Sequence, residues 1–169
     1  MLRPILRYGE SVLHQQARPV DALTPDIDRL IDDMIDTMYA APGVGLAAPQ
    51  VGVPLRIFVV DVSVGRDPGG LLVVINPELV ERDGMQLEEE WCLSVPGFNA
   101  TVVRPSRVVI KGRDRHWQEQ LHDGTGLLAR AFQHEIDHLD GQLFVDRLRG
   151  LKRDLIVRKI RKLSRAGRW

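Results

Sequence analysis

The five residues His134-Glu135-Ile136-Asp137-His138 carry the clearest chemical potential in the chain. Positions four apart on a helix lie one turn above each other, so the two imidazoles could be offered to a single metal ion. Glu135, beside the first of them, could reach a water on that ion without ligating it. Two surface histidines and an unrelated glutamate would spell the same letters. A catalytic metal usually takes three protein ligands and keeps a position open, so two histidines require a partner from elsewhere in the chain. Cys92 is the only cysteine. It can form no internal disulfide, and its thiol has three possible fates: buried filler, nucleophile or metal ligand. It lies in Glu90-Trp91-Cys92-Leu93-Ser94, just after an expected strand, where a thiolate could face the helix.

Periodicity outlines the elements that must position these groups. From about Thr24 to Ala40, Ile27, Leu30, Ile31, Met34, Ile35 and Met38 follow one helical face. Thr24 is the candidate N-cap, Pro25 takes the first helical position and Pro42-Gly43 supplies the stop. The aspartates of this helix are expected to face water. Residues 43 to 50, GVGLAAPQ, are small and irregular and read as a tight, partly buried loop. Short β-branched runs at 56–62 and 71–77 read as neighbouring strands. Further strands are expected at 78–81 and 86–90 around a turn at Asp83-Gly84, then at 101–104, 107–111 and 119–121, spaced for antiparallel hairpins. Helical spacing returns from about Gly126 to Leu139, with Gly141 as the stop, and again over 151–163, where Leu151, Leu155, Ile156, Ile160 and Leu163 form one stripe. The expected fold is α+β: a mostly antiparallel mixed sheet packed around a central metal-binding helix carrying HEIDH, with an N-terminal amphipathic helix and a basic C-terminal helix.

Composition narrows the class. At 169 residues the chain suits one domain, 1–169, with a core large enough to need no disulfide. Apolar residues make up 44% and charged residues 27%, and no apolar run approaches the roughly 18 residues of a membrane span. MLRPILRYGE lacks the apolar stretch of a secretory signal, so the cytoplasm is expected, with no membrane partner. The formal net charge is zero but unevenly spread: residues 21 to 36 hold six aspartates, and residues 146 to 169 hold ten Lys or Arg. The basic tail reads as a solvated helix face, with attraction to a nucleic acid as the sharper alternative; no DNA partner is expected.

Three motifs, GVGLAAPQ at 43–50, EWCLSVPG at 90–97 and QHEIDHLDG at 133–141, resemble the signature motifs of the peptide deformylases in order, separation and distance from the N-terminus. The resemblance covers effectively the whole chain, least securely the tail. It implies a metal held by Cys92, His134 and His138, with Glu135 as general acid and base. It also implies that the Gln50 side-chain amide and the Leu93 backbone N–H face the formyl oxygen, with Gly45 close to the substrate. The implied reaction is hydrolysis of the N-formyl group from the N-terminal methionine of newly made proteins, releasing formate. The resemblance favours Fe²⁺ in the cell, with Zn²⁺, Ni²⁺ or Co²⁺ in purified protein; the ligand types alone suit all four. The basic C-terminal helix resembles the tail that some deformylases dock on the ribosome.

One departure stands out. The family usually has glycine where this chain has Trp91, and an indole there must point away, line the pocket or cover it. Covering it would leave a catalytically silent binding module, which is the alternative reading. H-E-x-x-H alone would also suit a metallopeptidase. The apolar residues Leu127, Leu128 and Ala131 are candidates for the wall of a methionine pocket, with plain core packing as the rival. Glu90, Arg104 and Asp137 are candidates for ion pairs that orient the ligands; unrelated surface charges are the alternative. Gln50 could equally tie down its loop and Gly45 could be a turn glycine. His14, His116 and His122 match no ligand spacing and read as surface histidines.

Overall fold

The computed structural model describes residues 1–169. Seven strands form two antiparallel sheets: β1 (Gly45–Ala47), β2 (Ile57–Val60), β3 (Leu72–Asp83), β6 (Arg107–Arg113) and β7 (Glu119–Thr125) lie in the order β1-β2-β3-β6-β7. The remaining two, β4 (Gln86–Glu90) and β5 (Ala100–Arg104), make a separate ribbon. The helices are α1 (Pro25–Ala40), α2 (Gly126–Leu139), the short α3 (Phe144–Arg147) and α4 (Leu151–Arg165). The whole is an α+β fold.

Strand β2 shows why the large sheet is two-sided. All four of its residues are buried, and alternation sends them to opposite faces. Phe58 and Val60 pack with Val74, Ile110 and the α2 residues Ala129 and Phe132. Ile57 and Val59 pack with Leu30, Ile31, Met34 and Met38 of α1. Helix α1 begins as its sequence requires, with the Thr24 hydroxyl accepting from the Ile27 N–H and proline in the first turn. Not all its aspartates face water: Asp33 is buried, and it accepts from Arg3 Nε at 2.9 Å.

Two expectations about the sheet need correction. The 43–50 segment is not a loop throughout, because Gly45, Leu46 and Ala47 pair with Val60, Val59 and Phe58 before a 3-10 turn over Ala48–Val51. Three residues are too few to show a period. Residues 71–77 and 78–81 form one strand rather than two, and 86–90 does not fold back on it. Asn76 adopts a left-handed conformation (φ 53) clamped by its own side chain to both backbone groups of Val20. The irregularity at Asn76-Pro77 is absorbed as a register shift against β6. Since β6 occupies that edge of β3, β4 pairs instead with β5, Leu87 opposite Val103 and Glu90 opposite Ala100.

A third apolar cluster, including Leu13, Val95, Val102, Phe144, Val145 and Ile160, joins the β4–β5 ribbon to α3 and α4, and Cys92 belongs to it. The apolar stripe of α4 is only partly used, since Ile160 is buried while Leu151 and Leu155 are exposed. No helix is long and apolar enough to cross a membrane.

Candidate metal centre and active site

Helix α2 presents His134 and His138 one turn apart, and the segment leaving β4 brings Cys92 to meet them. Cys92 Sγ lies 3.3 Å from His138 Nε2, which lies 3.2 Å from His134 Nε2. One ligand atom from each residue falls within 4.8 Å of the others. Atoms sharing a tetrahedral ion at about 2.0–2.3 Å would sit roughly 3.3–3.6 Å apart. Thiolate and imidazole nitrogens at these separations fit a divalent transition metal, and the three residues could hold one.

The surroundings fix the orientation of each group. His134 Nδ1 bonds Glu90 Oε1 at 2.7 Å, which turns Nε2 towards Cys92 and His138. Glu90 is 4% exposed and also accepts two bonds from Arg104 and one from Arg130. Arg104, 1% exposed, reaches on to Asp137 Oδ2 at 2.7 Å, and Arg147 grips the same carboxylate. Glu90, Arg104 and Asp137 are therefore buried ion pairs behind the ligands, not scattered surface charges. Burial opposes ionisation of Glu90, but the bonds from Arg104 and His134 outweigh it and hold its carboxyl well below the usual range. Burial likewise opposes a proton on His134, yet Cys92 and Glu90 pull its pKa up. Burial and the neighbouring positive charge of His134 hold His138 well below its ordinary value, as suits a neutral ligand.

Glu135 is buried and its Oε1 has no hydrogen-bond partner. Burial, the largest influence, pushes its carboxyl up to about 7, against a downward pull from His134. A carboxyl of that pKa can accept and return a proton near neutrality. Gly45 explains how the group fits: a Cβ there would lie 2.6 Å from Glu135 Oε2 and 3.1 Å from its Cδ. The glycine is needed for close approach to Glu135, and its backbone takes no unusual conformation.

Gln50 is buried and held at both ends of its amide. Its Oε1 accepts from the Ala47 N–H at 3.0 Å, so Nε2 must face the other way, towards Ser94 Oγ at 3.1 Å and Cys92 Sγ at 3.8 Å. It does tie down its loop, and by doing so it aims a donor at the site. The Leu93 N–H donates to no backbone acceptor. Both groups border a cavity of about 810 Å³ also lined by Cys92, His134, Glu135 and Leu127.

Trp91 does not close this cavity; it is 63% exposed and lines its mouth. The silent-module reading finds no support. Leu127 and Ala131 line the cavity as well, whereas Leu128 packs into the core beneath the sheet. His14 and His116 are exposed, but His122 is half-buried against Phe132. Sequence reasoning missed Ser94, whose partner Gln50 is 44 positions away. It also missed Arg130 on the cavity floor; a charged residue one turn before His134 on an otherwise buried helix face was the available signal. Leu2, Arg3, Ile5 and Arg7 of the N-terminal segment border the cavity too, and nothing local in the sequence marks them.

Comparison with known proteins accords with this geometry. The polypeptide deformylase family model matches residues 2–154. A peptide deformylase of Acidobacterium capsulatum is 50% identical over 171 aligned positions, covering 100% of this chain and 99% of the relative. The crystal structure of a peptide deformylase from Legionella pneumophila superposes with a TM-score of 0.92 at 46% identity, covering 99% of this chain and 98% of the other. That of Ehrlichia chaffeensis, in complex with actinonin, superposes at 0.88 with 37% identity over 95% of this chain and 96% of the other. The activity that accompanies such similarity is metal-dependent removal of the formyl group from the N-terminal methionine of nascent peptides. Along nearly its whole length, in sequence and in fold, the chain belongs to the polypeptide deformylase family.

Proposed function

We propose that the chain carries out deformylation as a single catalytic domain, with Cys92, His134 and His138 holding one divalent metal ion, Fe²⁺ in the cell. A bound ion of this kind supplies Lewis acidity and lowers the pKa of water from about 15.7 towards 7. Glu135, whose Oε1 is buried and unpaired, takes the proton of the attacking water. The methionine side chain enters the cavity beside Leu127 and Gly45 with the formyl group directed at Cys92 and Glu135. As the formyl carbon becomes tetrahedral, negative charge grows on its oxygen, and the Gln50 amide and Leu93 N–H stabilise it; one such donor is typically worth about 2.7–4 kcal/mol of barrier. Glu135 then returns its proton to the leaving amine nitrogen, the C–N bond breaks, and formate and a free N-terminus depart.

The observation that carries this reading is the unpaired, buried Glu135 oxygen beside three ligand atoms within 4.8 Å of one another. The test is formate release from formyl-Met-Ala-Ser by anaerobically prepared Fe²⁺ protein. Glu135→Gln should lower kcat by about 10²- to 10⁴-fold at unchanged metal content. Retained activity in that variant would overturn the assignment.

The chain acts in the cytoplasm on peptides leaving the ribosome. The basic face of α4, where Lys152, Arg153, Arg158, Lys159, Arg161 and Lys162 make no ion pair, supports docking there. Salt-sensitive co-sedimentation with ribosomes checks it, and no binding at low salt would end it.

A further inference from the structure

Residues 6–8 belong to no helix or sheet, yet they strap together the two segments bearing Gln50 and Ser94. The Leu6 N–H donates to the Gln50 carbonyl at 2.8 Å and the Tyr8 N–H to the Ser94 carbonyl at 2.8 Å. The Ser94 hydroxyl in turn accepts from Gln50 Nε2 at 3.1 Å. Both bonds of the strap therefore converge on Gln50, one through its backbone and one through the partner of its side chain. A segment with so few bonds of its own takes its position from whatever clamps it.

The clamp is Trp169. Its indole N–H donates to the Tyr8 carbonyl at 2.8 Å across 161 positions, and that carbonyl has no other partner in the protein. The ring lies edge-on to Phe98 with centroids 6.0 Å apart, and Arg7 Cζ stands 5.9 Å from its centroid. Arg7 and Phe98 border the cavity, whereas Trp169 does not. The indole thus braces the wall from behind and touches no part of the space a substrate would fill. We propose that Trp169 is a positioning residue for Gln50: its N–H fixes the strap that holds the Gln50 amide at the formyl oxygen. This rests on the reading that Gln50 is a donor to that oxygen. Plain packing would be a different role, and chemistry separates the two. A phenylalanine ring keeps the contacts with Phe98 and Arg7 but cannot donate, so it leaves the Tyr8 carbonyl without a partner and residues 6–8 free to shift. Stabilisation of the oxygen's growing charge belongs to the transition state, so the loss falls on kcat and leaves KM alone.

The experiment measures kcat and KM for formyl-Met-Ala-Ser on the full-length, metal-loaded enzyme in wild type, Trp169→Phe, Gln50→Ala and the double variant. The conservative Trp169→Phe keeps the third apolar cluster packed. It should lower kcat by about three- to tenfold at unchanged KM and metal content, a fraction of the roughly hundredfold that a 1 Å misplacement can cost. Gln50→Ala alone should cost about 10²- to 10³-fold. In that background Trp169→Phe should add less than about twofold, because residues that act through one another are not additive. A kcat within about twofold of wild type in Trp169→Phe would overturn the proposal. So would a loss carried by KM, or the same fall repeated in full on top of Gln50→Ala; either leaves the reading of Gln50 intact. Gln50→Ala with the kcat of wild type would overturn that reading and the proposal with it.

Discussion

Glu90 joins the candidate metal ligand His134 to the buried guanidinium groups of Arg104 and Arg130, so Glu90→Gln should disturb both at once. Its Oε1 accepts from His134 Nδ1 and Arg104 Nη2, and its Oε2 from Arg104 Nε and Arg130 Nη1. Glutamine keeps the shape but loses the charge, and one end of it becomes an NH₂ aimed at donors. Arg104 retains Asp137, and Arg130 retains the Val102 carbonyl, but the anion between two buried guanidinium groups is gone. Breaking a buried pair by removing one partner costs about 3–5 kcal/mol. For a chain of this size, at about 2–4 °C per kcal/mol, that is a fall in Tm of roughly 6–20 °C. Losing the anionic partner of His134 should weaken metal binding about ten- to hundredfold. Chelator competition for Co²⁺ and thermal melts of the loaded protein measure the two effects, with Glu88→Gln, an exposed carboxylate of the same strand, as control. Co²⁺ affinity within about twofold of wild type, together with a Tm within about 2 °C, would refute the argument that Glu90 orients His134.

Two further outcomes follow from the geometry. In Gly45→Ala the new Cβ would stand 2.6 Å from Glu135 Oε2, so the carboxylate must swing aside. Displacement by about 1 Å can cost on the order of 10²-fold in rate, and kcat should fall on that scale at unchanged metal content; kcat within about twofold of wild type would contradict the steric argument. The second concerns Tyr39, whose hydroxyl donates to Asp61 at 2.6 Å; burial and that bond push the phenol up to about 12. The folded state then holds a proton that the unfolded state releases near pH 10. The stabilisation is full below about pH 10 and is lost as pH rises through about 12. Tyr39→Phe should remove that part of the alkaline slope in urea-unfolding curves, and an unchanged slope would show the pair to be unimportant.

The sequence was most legible where interactions are local. Both histidines, Glu135 and the α2 boundaries follow from i,i+4 spacing, and the α1 start follows from Thr24 and Pro25, because a helix bonds within itself. Cys92 could be nominated but not placed, since its neighbours come from a helix more than forty positions on. The β1 pairing and the true partner of β4 were illegible for the same reason: which edge of β3 is free depends on where β6 docks. For Arg104 and Asp137 the sequence left ligand-orienting ion pairs and surface charges both open, because charge alone does not reveal burial, and only the closed network with Glu90 makes their burial tolerable. Gln50 lay between the two readings, since tying down its loop and facing the site are consequences of one amide orientation.

The candidate ligand atoms come from segments far apart in the chain. Cys92 and His138 are 46 positions apart, the Gln50 carbonyl is held by the Leu6 N–H, and the end of α2 is tied through the Leu139 carbonyl to Ala17. Contacts of such long range must wait for loop closure. An isolated α2 would offer two imidazoles without a thiolate or the Glu90 anchor, and so would compete poorly for metal against the fully assembled site. A metal held by Cys92, His134 and His138 would therefore be matched to the finished fold, and a partly made chain lacking the thiolate or the Glu90 anchor would hold it weakly.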